Sequence, residues 1–328
     1  MNARAQIRLL PDGRRLHLHD GPIDLIIEAF GATAEVELAY RAAARRFVNV
    51  LDELCDELVL LRQAFREDGP VPRGAIARRM AAAVRPYAPR TFITPMAAVA
   101  GAVAEEILGV MTSTADLTRA YVNDGGDIAL HLQTGEKFVV GMVERPDRPS
   151  LFGAATLDSG QPIRGIATSG WHGRSFSLGI ADAVTVLAAT AAMADAAATV
   201  IANAVDLPGH AKIERIPACE LAPDSDLGDR LVTQNVGELS AEEVGHALQA
   251  GTMVAESLAA RGLIHSAALH LQGTTKVVPS LAPQATKERH RLARHVSAGT
   301  KLRLNHVPQS AAPARGHSSQ RLERLPHA

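Results

Sequence analysis

Aromatic residues are scarce: three Tyr, seven Phe and one Trp among 328 residues. The core must therefore be assembled from Ala, Val, Leu and Ile, and helices faced with such small side chains approach one another closely. The two cysteines, Cys55 and Cys219, lie far apart, which excludes a disulfide framework and a cysteine metal site. Both are expected to be buried as small apolar residues. Thirty-four basic against thirty-five acidic residues leave a net charge of −1, so no nucleic-acid partner is expected. No run of about 18 uninterrupted apolar residues occurs; the stretch 180–205 comes nearest, but Asp182, Asp195 and Asn203 interrupt it. The N-terminus lacks the apolar core and small-residue cleavage site of a signal peptide. A cytoplasmic protein without a membrane partner is the expectation.

What is present is patterning. Segments 6–10, 15–19 and 23–28 read as short strands, with Pro11, Asp12 and Gly13 turning between the first two and Gly21 with Pro22 before the third. From 33 to 65 the period becomes helical. Phe47, Val50, Leu51, Leu54, Leu58, Leu61 and Phe65 recur at three- and four-residue steps, predicting one long amphipathic helix with a break near Arg45. A shorter helix is expected over 75–84. Thr94 as N-cap and Pro95 in the first helical position predict another, running to about Leu108. Strands are expected on both sides of the turn at Asn123 to Gly126, at 137–143, 151–157, 164–168, 211–216 and 264–271, with a weaker one at 230–232. A helix over 240–262 opens on a capping box of Ser240 and Glu243. Beyond 277 the chain is rich in Pro, Ser, Arg and His and reads as a disordered basic tail, 278–328. The fold class is α+β, with antiparallel sheets and packed Ala-rich helices in one domain over 1–277.

Three segments carry chemistry or tight packing. At the helix start over 94–106, Ala97, Ala98, Ala100, Gly101 and Ala102 leave the backbone bare. Such a start serves close helix packing, or its free N–H groups bind a phosphate. The turn VNDGGDI, 122–128, is a hairpin, or a place where Gly125 and Gly126 let a planar or phosphorylated ligand approach the backbone. The stretch 165–204 joins a hydroxyl turn, Ala167-Thr168-Ser169-Gly170, to an Ala-rich helix. There Asp195 and Thr199, four residues apart, share one helix face. That spacing fits a solvated helix, and it fits a half-site for a hard cation, which takes oxygen ligands.

Together and in this order, the segments resemble the ApbE family, magnesium-dependent FAD:protein FMN transferases with a VNxGGD-like turn, an ATSG turn and an AD-x3-T metal helix. The run from GPIDLII through TPMAAVAGA, VNDGGDIA, TSG and GIADAVTVLA is similar to a cytoplasmic branch of that superfamily, over about residues 5–275. The resemblance implies an ApbE-like fold. It implies a metal site of Asp195, Thr199 and the Ala100 carbonyl, and a flavin-side turn of Asn123, Gly125, Gly126 and Asp127. Thr168, Ser169 and Gly170 would line the FAD. The implied activity is Mg2+-dependent transfer of FMN from FAD to a Ser or Thr of an acceptor protein. The alternative is an accessory protein that holds a flavin or other nucleotide without transferring it.

Two departures support that alternative. Gly101 stands where the family's AKG element has lysine, and SFSLGIADAV, 175–184, replaces its His-Ile-Ile-Asp-Pro-x-Thr-Gly segment. Asp182 and His172 are the candidates for the missing catalytic group. Asp182 reads equally as a buried polar or helix-terminal residue, and His172 as an incidental histidine.

Overall fold

The computed structural model describes residues 4–143 and 151–278; the expected tail lies outside the described residues. Strands β1 (Gln6–Leu9), β2 (Leu16–Asp20) and β3 (Ile23–Gly31) form an antiparallel meander. The expected long helix is three pieces: α1 (Thr33–Phe47), α2 (Val50–Cys55) and α3 (Leu58–Leu61). The first joint falls after Phe47, past the expected break near Arg45, and the second is at Glu57, whose φ of −116° and ψ of 11° leave helical geometry. A straight helix over that span would be about 50 Å long. Breaking it keeps Phe47, Val50, Leu54 and Leu61 all buried against one core.

Helix α4 (Ala75–Val84) matches its expected bounds. Pro95–Ala98 is a 3-10 turn that leads into α5 (Val99–Thr114), so the helix outlasts the expected end near Leu108. Thr94 makes no capping bond; its hydroxyl donates to Asp226 instead. The span Pro95–Thr114 is long and apolar enough to cross a membrane by length and composition, but Ala102, Val103, Ala104, Ile107 and Met111 are core residues.

The remaining elements are β4 (Leu117–Asp124), β5 (Asp127–Leu132), β6 (Lys137–Val143), β7 (Leu151–Asp158), β8 (Gly165–Ser169), β9 (Ala183–Ala188), α6 (Ala191–Ala204), β10 (Ile213–Pro217), α7 (Ala218–Leu221), β11 (Leu231–Val236), α8 (Ala241–Ala260), β12 (Ser266–Leu271) and β13 (Thr274–Val278). The capping box of Ser240 and Glu243 opens α8 as expected. Strands β9 and β13 are two more than the sequence predicts. Strand β9 falls in the stretch 165–204, expected to run from the hydroxyl turn into an Ala-rich helix, and its fully buried AVTVLA is a central strand of the sheet instead. Strand β13 is the last element of the described residues. It follows β12 through Gln272 and Gly273, both at positive φ, the geometry of a two-residue hairpin turn.

Nine strands form one antiparallel sheet in the order β1-β2-β3-β4-β5-β8-β9-β12-β13. Period-two alternation divides its faces. Val122, Ala129, Ala167 and Val186 join the core shared with α1, α4, α5, α6 and α8. Tyr121, Ile128, Leu130 and Ile166 face the other way, under Phe138, Val140 and Leu157 of the β6–β7 hairpin. The scarcity of aromatics shows in the helix layer, where α6 buries Ala191, Ala192, Ala194, Ala196, Ala197, Ala198 and Ala202. The cysteines depart from expectation: Cys55 is exposed and Cys219 partly so. Cys55 ends the short α2, away from the buried stripe, and Cys219 Sγ donates to Asp229.

Candidate functional site

The alternation that places Val122 and Ala129 toward the helices carries Asp124 and Asp127 to the same face, at the mouth of the β4–β5 turn. Helix α6 lies across that face and brings Asp195 to them. The three carboxyl groups feel one another's charge. Asp124 is buried and pushed up to about 7, chiefly by loss of water, with the Arg174 cation pulling the other way. Burial, then the charges of Asp195 and Asp124, hold Asp127 well above the usual carboxylate range. Burial also pushes Asp195 up to about 7, against the stabilising N–H of Gly101.

Asp195 has a second task. Val99 is the first residue of α5, so the N–H groups of Ala100 and Gly101 have no partner inside that helix. Asp195 Oδ2 accepts from Gly101 N at 3.0 Å, and the Ala100 N–H also acts on the carboxylate. The bare helix start expected to favour a phosphate is thus already satisfied by an anion of the chain itself. The arrangement is reciprocal, because Glu105 on α5 accepts from Ala192 N in the first turn of α6, at 2.7 Å. Both helix starts meet so closely that a Cβ on Gly101 would stand 2.4 Å from Ala191 O. Any side chain is excluded there, which is the physical reason for glycine in place of lysine.

Ala100 and Asp195 are therefore brought together, and Thr199 stands one turn further along α6. Among the described residues no three His, Cys, Asp or Glu side chains converge closely enough to hold a metal ion by themselves. The β4–β5 turn is a hairpin, as one of its two readings expected: Gly125 and Gly126 have φ of 64° and 122°, and Asn123 Oδ1 accepts from Gly126 N at 2.9 Å.

The hydroxyl turn divides its tasks. Thr168 donates its backbone N–H to Asp127 Oδ1 at 3.2 Å, while its hydroxyl pairs with Thr185 Oγ1 at 2.9 Å on the sheet face away from the helices. Ser169 alternates to the helix face. A Cβ on Gly170 would stand 2.3 Å from Asp182 O, so glycine there serves strand contact.

His172 and Asp182, ten residues apart, form a pair. His172 Nε2 lies 3.3 Å from Asp182 Oδ1, and its ring stacks on Trp171 with centroids 3.8 Å apart. Trp171 Nε1 donates to the same oxygen at 3.1 Å, and Gln272 N donates to Oδ2 at 2.6 Å. Asp182 is thus a half-buried polar residue with both carboxylate oxygens engaged, and it also orients a histidine. The sequence marks Asp124 only as part of the turn at 123–126 and does not mark Arg174. Asp124 was open to inference as the alternate residue to Val122; nothing local marks Arg174.

A family model described as "AbpE bacteria" matches residues 7–277. The chain belongs to this family. This AbpE-family protein is also similar to UPF0280 proteins of archaea. It is 39% identical to that of Methanopyrus kandleri over 39% of the chain and 48% of the relative. It is 31% identical to that of Archaeoglobus fulgidus over 55% and 73%. The AbpE-family chain spans about half the length of several of these curated relatives. A variant of the flavin transferase ApbE from Vibrio cholerae aligns in structure over 83% of this chain and 95% of that one, at 12% identity and a TM-score of 0.43.

Proposed function

We propose that this protein binds FAD in the cytoplasm, where α5, α6, the β4–β5 turn and the end of β8 meet, and transfers its FMN portion to a Ser or Thr hydroxyl of an acceptor protein. The observation that carries this is the gathering of Asp124, Asp127 and Asp195 from three elements with one described cation, Arg174, against them. Such a group is electrostatically incomplete. Its three carboxylates do not converge closely enough to hold an ion by themselves, but an oxygen donor such as Asp195 suits Mg2+ when a carbonyl, a hydroxyl, water and phosphate complete the shell. Asp195, the Ala100 carbonyl and the Thr199 hydroxyl would hold the ion, with water and phosphate oxygens completing the shell. When bound, Mg2+ neutralises charge on the diphosphate.

The protein's own residues supply position and proton transfer. Gly126 leaves open space for the nucleotide beside the turn, and Ser169 offers a hydroxyl from the helix-side face. His172, oriented by Asp182, accepts the proton of the attacking hydroxyl. The bond formed is from the acceptor oxygen to the FMN phosphorus; the bond broken is the diphosphate P–O bond, with AMP leaving.

The test is incubation with FAD, Mg2+ and a candidate acceptor, read as in-gel flavin fluorescence and AMP release. Wild type is expected to label the acceptor, Asp195→Ala to abolish labelling, and His172→Gln to slow it by about a hundredfold. Equal labelling by wild type and Asp195→Ala would overturn the reading. Flavin binding without AMP release would establish the second reading, a non-transferring nucleotide binder, which the commitment of Asp195 to the α5 N-terminus favours.

A further inference from the structure

The loop between β8 and β9 crosses the β4–β5 turn, and Arg174 lies in it, half-exposed. Its guanidinium reaches two separate segments, the β4–β5 turn and the Pro22 turn. Nη2 is 3.6 Å from Asp124 Oδ1, Nη1 is 3.4 Å from Pro22 O, and a Cβ on Gly125 would come within 2.2 Å of Nη2. Charge-assisted hydrogen bonds run about 2.7–2.9 Å, so both polar contacts are loose. The arginines that hold the fold together are gripped differently. Arg46 meets Glu53 at 2.7 Å and Glu106 at 2.8 Å, and Arg79 meets Glu105 at 3.0 Å and Glu106 at 3.1 Å. Arg174 is steered to the glycine turn without being fastened to it. Its planar fork of five donors suits a phosphate.

We propose, building on the flavin-nucleotide reading above, that Arg174 is the anion-binding residue of this site, its guanidinium taking the diphosphate of the bound nucleotide. The neighbouring carboxylates repel an anion, so the exchange of Asp124 for phosphate follows binding of a divalent cation at Asp195. Gly125 contributes by having no side chain to hold the guanidinium off the turn. Binding is therefore both Mg2+-dependent and Arg174-dependent for phosphorylated ligands, and indifferent to Arg174 for riboflavin, which carries no phosphate.

Calorimetry on the full chain in Mg2+, with FAD, riboflavin and inorganic pyrophosphate as probes, tests this on wild type, Arg174→Gln and Arg174→Lys. The expected result is at least a tenfold weakening for FAD and pyrophosphate in Arg174→Gln, a smaller one in Arg174→Lys, and under twofold change for riboflavin. Equal FAD affinity in all three proteins overturns the assignment while leaving the flavin reading intact. Equal loss of FAD and riboflavin overturns it as well, since that marks a structural role. Should Arg174→Gln unfold, the FAD-to-riboflavin ratio in Arg174→Lys decides by the same criterion. Arg174-dependent pyrophosphate binding without any flavin binding keeps the anion site and removes the flavin. A wild type that binds none of the three probes sinks both.

Discussion

Single positions show how little room the helix layer leaves. Gly101 and Gly109 lie on the same helix, yet a Cβ on Gly101 would meet Ala191 O at 2.4 Å, while one on Gly109 would meet nothing within 4 Å. Gly101→Ala is expected to cost about 1–3 kcal/mol through backbone displacement. Gly109→Ala should gain up to about 1 kcal/mol from helix propensity. Urea unfolding of both variants checks the pair, and Gly101→Lys should unfold the protein. Glu28 makes a second case. It sits on β3 opposite Tyr121, 2% exposed, with Tyr121 Oη donating to Oε2 at 3.2 Å and Arg14 Nε 3.7 Å from Oε1. Burial raises its carboxyl above the ordinary range, and Arg14 offsets this only in part. The folded state therefore binds a proton more tightly than the unfolded chain, so stability is full below about pH 4 and falls as pH rises through the raised value. Glu28→Gln should flatten that part of the fall, read as the urea midpoint against pH. Asp124, Asp127 and Asp195, all held above the usual carboxylate range, contribute to the slope that remains at higher pH.

Among elements, α5 and α6 are coupled by exchanging caps, Asp195 to the start of α5 and Glu105 to the start of α6. A cap contributes about 1 kcal/mol, with a range of about 0.5–2. Asp195 also bears repulsion from Asp124 and Asp127, whereas Glu105 is paired with Arg79 at 3.0 Å. Glu105→Ala is accordingly expected to destabilise more than Asp195→Ala at neutral pH. The double variant should cost less than the sum, because either loss already loosens the same helix contact. Thermal unfolding of the four proteins measures the coupling; strict additivity would show that the two caps act independently. The same coupling bears on function, since the carboxylate proposed to hold a cation also fixes the helix that would supply the Ala100 carbonyl.

Across the described residues, the sheet ends at β13, whose Val278 is 5% exposed and belongs to the helix-side core. A chain ending after residue 278 is therefore proposed to be the complete folding unit. It is expected to unfold with the same midpoint and cooperativity as the full chain, to within about 0.5 kcal/mol. A lower midpoint would show that later residues contribute to the core.

The sequence by itself determined most of the local elements and the family, but not where the chain over 33–61 breaks into three helices, nor strands β9 and β13. Strand alternation, the capping box at Ser240, the glycine turn at 125 and 126 and the spacing of Asp195 and Thr199 depend on neighbours a few residues apart, and such patterns survive in one dimension. Tertiary structure decided the rest. Strand β8 pairs with β5 although the β6–β7 hairpin lies between them in sequence, and β9 pairs with β12 across α6, α7 and α8. Those pairings bring Asp124 and Asp127 beneath Asp195, stand His172 against Asp182 and lay Arg174 over Gly125. They also divert Asp195 to a helix start that composition alone left open to phosphate. A carboxylate's partner is set by what packs nearby, and only the sheet order and the close approach of two alanine-faced helices choose it.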